Sequence, residues 1–146
     1  MALGADGRIA WRCHLRSAPE AVYEMLDTAD GRQRFWAVAA PEVGGAVEFR
    51  FSNGQTLTSK IVARDPGKLF QLRYFNASMV TFVLRSDGAG GTELTLTEEA
   101  FAPEDVLENL AGWISVLLGL KAAADFRVDL RNHRPGCTWE SGFVDV

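Results

Sequence analysis

The chain has 146 residues, enough for one domain that buries about 68% of its unfolded surface. A hydrophobic content of 47% against 23% charged residues fits a globular protein and argues against disorder. A net charge of −4 leaves no basic footprint, so nucleic acid is not an expected partner.

Met1-Ala2-Leu3-Gly4-Ala5-Asp6-Gly7 lacks the basic start and apolar core of a signal peptide. No apolar run approaches the ~20 residues of a membrane span, so the expectation is a cytoplasmic protein. Cys13 and Cys137 sit at opposite ends of the chain without C-x-x-C spacing. They are read as reduced thiols, with neither a disulfide framework nor zinc.

From Gly7 to Arg16 the chain alternates, with Ile9, Trp11, Cys13 and Leu15 on one face and Arg12, His14 and Arg16 on the other. That is a half-buried strand. Ser17-Ala18-Pro19-Glu20 opens a helix with Val22, Met25 and Leu26 inward. Asp27-Thr28-Ala29-Asp30 interrupts it, and a second short helix is expected from Gly31 to about Val38, carrying Phe35 and Trp36.

From Val43 the period becomes two. Val47, Phe49 and Phe51 face inward, Ser52-Asn53-Gly54 turns the chain, and Leu57, Ser59, Ile61 and Ala63 form the next inner set. Asp65-Pro66-Gly67-Lys68 is a second turn. Phe70, Leu72 and Tyr74 follow, then Val80, Phe82 and Leu84, then a loose loop at Ser86–Gly91, and finally Leu94 and Leu96. Pro103 to about Arg131 reads as one long helix of roughly 43 Å. Val106, Leu110, Trp113, Leu117, Leu120, Ala124 and Val128 share its inner face, and Leu107, Ile114 and Leu118 widen that face on one side. The pattern predicts an α+β fold: a curved antiparallel sheet of about six strands wrapped on a C-terminal helix, with two short helices after the first strand.

Several stretches resemble one known family. Leu15-Arg16-Ser17-Ala18-Pro19-Glu20-Ala21-Val22-Tyr23 followed by Phe35-Trp36, then Gly44–Phe49, Asp65–Leu69, Gly91–Thr97 and Gly112–Lys121, are similar in order and spacing to the SRPBCC or START-like helix-grip proteins. The branch they resemble is that of the C-terminal domain of activators of the Hsp90 ATPase. The resemblance covers nearly the whole chain and implies the helix-grip fold for residues 1–146, with 132–146 as a C-terminal extension. It also implies a hydrophobic cavity between sheet and helix, of the kind that START-like proteins use for lipids, polyketides or other apolar ligands. The eukaryotic activators engage the chaperone through a further N-terminal domain, which is not expected here, so activation of Hsp90 is not the first expectation.

The expected ligand-binding set is Trp36, Phe49, Phe51, Ser59, Tyr74, Phe82, Trp113 and Leu117. The inward aromatics, Trp11 included, either line a pocket or fill a solid core. Ser59 and Tyr74 bring hydroxyls into the inner set, where each needs a partner or orients a ligand. Lys121, with Asp125 one turn on, is either a snorkelling lysine or a desolvated base or anion anchor. Gly112 and Gly119 form a stripe for close approach of the short helices, a ligand or a second subunit. Glu98 continues the inner register of Leu94 and Leu96, pointing at the cavity mouth or fraying into solvent. No catalytic residue, metal or cofactor is expected, because His14 and His133 have no nucleophile or carboxylate cluster beside them in sequence.

The first expectation is non-catalytic binding of a small hydrophobic or amphipathic ligand. A stress-related Hsp90 partner is the second. A cyclase- or dehydratase-like enzyme is the third, for which Tyr74, Glu98 and Lys121 would have to converge. The chain is expected as monomer or homodimer. The apolar tail residues Trp139, Phe143 and Val144 should dock on the protein itself, or failing that on a second subunit.

Overall fold

The computed structural model describes residues 2–146; Met1, which opens the segment read above for a leader, lies outside the described residues. The chain begins with β1 (Ile9–Leu15), then α1 (Pro19–Asp27) and α2 (Ala29–Gln33). Six strands follow: β2 (Glu42–Val43), β3 (Ala46–Arg50), β4 (Thr56–Asp65), β5 (Leu69–Arg73), β6 (Met79–Ser86) and β7 (Thr92–Glu99). A 3₁₀ turn at Pro103–Asp105 leads into α3 (Val106–Phe126).

All seven strands form one antiparallel sheet in the order β1-β7-β6-β5-β4-β3-β2. The extra strand relative to expectation is β2, two residues paired with β3 and too short to show a period. Period two places Val47, Phe49, Phe70, Leu72, Phe82 and Leu96 on the concave face, each at most 1% exposed. A bulge between Ile61 and Ala63 breaks the β4 register. Such an extra residue bends a strand and increases its twist, which suits a sheet curving round a helix.

The two short helices meet at a break enforced by Thr28. Its extended backbone ends α1, and its side chain accepts the Gly31 N–H at 3.0 Å to cap α2. A Cβ on Gly31 would lie 2.5 Å from Met25 Cα, so glycine lets the two helices turn tightly on each other. The second helix stops at Gln33, and Phe35 and Trp36 ride on the turn after it rather than on a helix reaching Val38. Arg32, 1% exposed, fills this junction: its guanidinium donates to Ala40 O at 3.0 and 2.7 Å and to Leu26 O at 3.0 Å. Carbonyls stranded by a broken helix and a loop thereby gain donors, as buried backbone requires.

Helix α3 is shorter than the expected Pro103–Arg131. Its 21 residues span about 32 Å and end where Arg127 turns left-handed at φ 55°. The end is pinned by Asp125, whose side chain has no solvent exposure. It accepts from Arg16 N at 2.9 Å, Ser17 N at 3.0 Å and Ser17 Oγ at 2.8 Å, and Lys121 Nζ lies 3.3 Å away. Lys121 also donates to His14 O, so the pair locks the helix to the exit of β1. Burial alone would raise the Asp125 pKa, but the donors from Arg16, Ser17 and Lys121 outweigh it and lower it.

Trp113, Leu117 and Leu120 are the helix residues that close the core. The expected flank behaves differently: Leu107, Ile114 and Leu118 are 77%, 41% and 53% exposed, because the sheet reaches only the Trp113–Leu120 line. By length and composition Pro103–Phe126 would suffice to cross a membrane, which amends the expectation that no stretch approaches that size. A core helix passes the same test, and this one packs on the sheet.

Beyond Arg127 the chain folds back beside α3. Arg131 donates to Ala37 O at 3.0 Å and to Gln33 O, serving carbonyls at the end of α2 instead of its own helix. Asn132 closes the tail into a loop by bonding Cys137 O at 3.1 Å and Asp145 O at 2.9 Å. The tail is tied down by Ser115 Oγ to Val144 O at 3.0 Å, Asn53 Nδ2 to Glu140 Oε1 at 2.7 Å, and the Trp139 indole to Glu108. It docks within the chain, as expected, though through polar anchors: Phe143 and Val144 stay 40% and 70% exposed. Cys13 and Cys137 are both free thiols.

Candidate functional site

Between α3, the β3–β4 turn and the returning tail lies a partly open groove of about 840 Å³. Three walls come from distant parts of the sequence. Gly112, Ile114, Val116 and Leu118 supply the helix side. Phe51, Ser52, Asn53 and Gln55 supply the sheet side, and Leu130 to Arg134 with Trp139 and Val144 supply the tail side. Nothing lies within 4 Å of where a Gly112 Cβ would be, so this glycine opens space. Gly119 instead lets Phe35 approach, its Cβ position lying 3.4 Å from Phe35 O.

The inner end is aromatic. Trp36 sits at its centre, with ring centroids 4.8 Å from Phe49, 5.9 Å from Tyr74, 5.6 Å from Phe82 and 6.1 Å from Trp113. Tyr74 and Trp113 are 5.0 Å apart. These tilted and edge-on distances are those of favourable aromatic pairs, and they hold the groove's inner end rigid.

Of the eight expected residues, Trp36, Phe51, Tyr74 and Trp113 line the groove together. Phe49, Phe82 and Leu117 lie behind them in the closed core at 1%, 0% and 4% exposure and do not line it. Ser59 is fully buried opposite Val47, away from the groove, and its hydroxyl has no partner among the described residues. Trp11 also stands elsewhere, donating to Leu110 O at 3.1 Å. Alternation assigned these side chains to the correct face of the sheet, but a face has an open end and a filled end.

Two polar groups reach the aromatic end. The Tyr74 hydroxyl accepts the Trp36 indole N–H at 3.1 Å, and its own proton has no acceptor among the described residues. Burial raises the Tyr74 pKa above its ordinary value; the Trp36 bond opposes that shift and the charge of Glu98 adds to it. The phenol is therefore neutral and able to donate. Glu98 is 2% exposed, with Oε2 accepting from Ser78 Oγ at 2.9 Å and Oε1 from the Trp113 indole at 3.1 Å. No lysine, arginine or histidine among the described residues comes within salt-bridge distance of it. Glu98 thus belongs to the site although the expected set omitted it. The alternation Leu94, Leu96, Glu98 was the available signal.

Lys121 does not join Tyr74 and Glu98. It is absent from the groove lining, being held at the far end of α3 by His14 O and Asp125. The convergence required for a cyclase- or dehydratase-like enzyme is therefore not present. His14 and His133 bind the carboxylates of Asp87 and Asp129 at 2.8 and 2.7 Å on the surface. Among the described residues no group of three or more His, Cys, Asp or Glu is placed to hold a metal ion.

A curved antiparallel sheet gripping one C-terminal helix, with an aromatic groove beside that helix, defines the START-like helix-grip class. The family model of the activator of Hsp90 ATPase homolog 1-like proteins matches residues 16–125, and the chain belongs to that family. Solved structures agree on the fold. A Staphylococcus saprophyticus protein superposes with a TM-score of 0.72 at 22% identity, over 83% of this chain and 93% of its own. The Aha1 dimer from Colwellia psychrerythraea gives 0.72 at 24%, over 82% and 96%. An AHSA1-like protein from Aeromonas hydrophila gives 0.68 at 19%, over 78% and 89%. No curated protein matches the chain significantly.

Proposed function

We propose that this protein binds a small hydrophobic or amphipathic ligand in the groove beside α3 and does not transform it. The observation that carries this is a space of about 840 Å³ with an aromatic inner end, to which the Tyr74 hydroxyl and the Glu98 carboxylate bring polar contacts. Preformed apolar clefts of roughly 300–1,000 Å³ with a few convergent polar groups are what small-molecule sites look like. Titrating a panel of medium-chain lipids and flat polycyclic compounds, read by intrinsic tryptophan fluorescence and calorimetry, tests the reading. Saturable binding that Trp36→Ala or Gly112→Leu abolishes supports it. Absence of binding across the panel defeats it.

A chaperone-facing role has one structural feature in its favour besides the family. Leu107, Ile114 and Leu118 present an exposed apolar strip along α3, a surface feature that marks contacts. An Hsp90 ATPase assay with and without the protein decides it, an unchanged rate and no complex removing the role. The Colwellia relative was solved as a dimer. Light scattering on this protein gives its own state, for which monomer and homodimer are both proposed.

A further inference from the structure

We infer that the ligand carries a positively charged head, a protonated amine on an apolar body, and that Glu98 is its counter-ion. This rests on the reading of the groove as a ligand site and specifies the chemistry that site selects.

Glu98 is buried to 2% exposure in the groove lining, and its two recorded partners, Ser78 and Trp113, are neutral donors. A carboxylate taken out of water is stabilised by hydrogen bonds, yet its charge is still best met by an opposite one. No basic side chain among the described residues is within salt-bridge distance of it: the groove's basic groups are Arg131, His133 and Arg134 on the tail side, and Asp129 holds Arg131 and His133 at 2.9 and 2.7 Å. Against these stand Glu98, Asp105, Glu108, Glu140 and Asp145 in the same lining, so the groove as a whole favours a cation.

The surroundings of Glu98 suit an ammonium better than a neutral donor. Trp113 meets it only through the indole N–H, at 3.1 Å, which leaves the carboxylate with neutral donors and capacity for a stronger one. The Tyr74 oxygen accepts once, from Trp36, and keeps a second lone pair for another N–H. An anionic head at the same place would meet Glu98 as a like charge and be repelled.

The test uses three ligands with one eight-carbon tail: octylammonium, octanol and octanoate, titrated into the full chain at neutral pH by calorimetry. The expected order is octylammonium about tenfold tighter than octanol, with octanoate weakest. In the wild-type protein the Trp113 indole N–H resonance should shift with octylammonium and much less with octanol. Glu98→Gln, with its fold checked by circular dichroism, should lose the preference for the amine and bind octylammonium no more tightly than octanol. If none of the three binds, both the ligand reading and this inference fall. If octanol or octanoate binds as tightly as octylammonium, the ligand reading stands and the charged head is overturned. Octylammonium binding that leaves the Trp113 indole unmoved also overturns it, without recourse to the variant.

Discussion

Replacing Asp125 by alanine should be among the most damaging single changes outside the aromatic cluster. The carboxylate accepts two backbone N–H groups and one hydroxyl at 2.8–3.0 Å and sits beside Lys121. Hydrogen bonds to a charged group are each worth about 1.5–3 kcal/mol. They share one acceptor group, and the Lys121 side chain is 33% exposed, so water can take part of the load. Losing one partner of such a buried set costs about 3–5 kcal/mol. At about 2–4 °C per kcal/mol for a chain of this size, Tm should fall by roughly 6–20 °C. The pH dependence follows from the sign of the shift. The folded pKa of Asp125 is depressed, so its contribution is full above the unfolded value, about pH 4, and is lost as pH falls through the folded value. Urea unfolding of wild type and Asp125→Ala, followed by tryptophan fluorescence, should show a gap at neutral pH that narrows below about pH 4. A neutral-pH gap under about 1 kcal/mol, the size of an exposed pair, would refute the reasoning. So would a gap that stays constant on acidification.

Ser59→Ala removes a hydroxyl that is fully buried and has no partner among the described residues, so the urea midpoint should hold or rise, by up to about 1 kcal/mol in stability. A loss of more than that would mean the hydroxyl is bonded. Arg32→Met leaves the Ala40 and Leu26 carbonyls without donors and should cost about 3 kcal/mol in the same experiment, a near-neutral result contradicting the role given to this side chain. The Asp87 carboxyl is held at about 2 by the bond from His14 and then by the N–H groups of Ala89 and Gly91. In His14→Ala an NMR titration of Asp87 should show its pKa raised while still below the ordinary aspartate value, since the two backbone donors remain. An unmoved pKa would show that His14 contributes nothing.

Period two made the strands legible, because each inner residue repeats the environment of the one two before it. Val47 and Phe49, Phe70 and Leu72, and Leu94 and Leu96 all face the core as their spacing indicates. The end of α3 was not legible. Arg127 adopts φ 55° without being glycine, closed by backbone bonds to Ala122 and Ala123, and Asp125 just before it reaches a turn 108 residues earlier, a contact invisible to any local pattern. The burial of Arg32 has no local signal either: its partners are carbonyls freed by a helix break, and only the folded geometry shows they need a donor. Four of the eight expected residues, Trp36, Phe51, Tyr74 and Trp113, line the groove. Trp36 and Trp113 reach the groove while Phe49 and Phe82 stand behind them, since sequence spacing reports orientation and says nothing about depth. The tail wall was missed altogether, because Leu130 and Val144 become groove residues only when the chain doubles back along α3.

The strand order has a consequence for how the protein is made. The first strand pairs only with the last, and Thr92, whose hydroxyl closes on Ser17 O, is synthesised 75 residues after it. At ribosomal rates of 5–20 residues per second, β1 waits about 4–15 s with its β7 edge unpaired. During that interval its alternating face, Ile9 and Trp11 among it, is a template for wrong pairings. The charges on its other face, Arg12 and Arg16, are what the nascent chain has to keep that strand apart from its neighbours until β7 arrives.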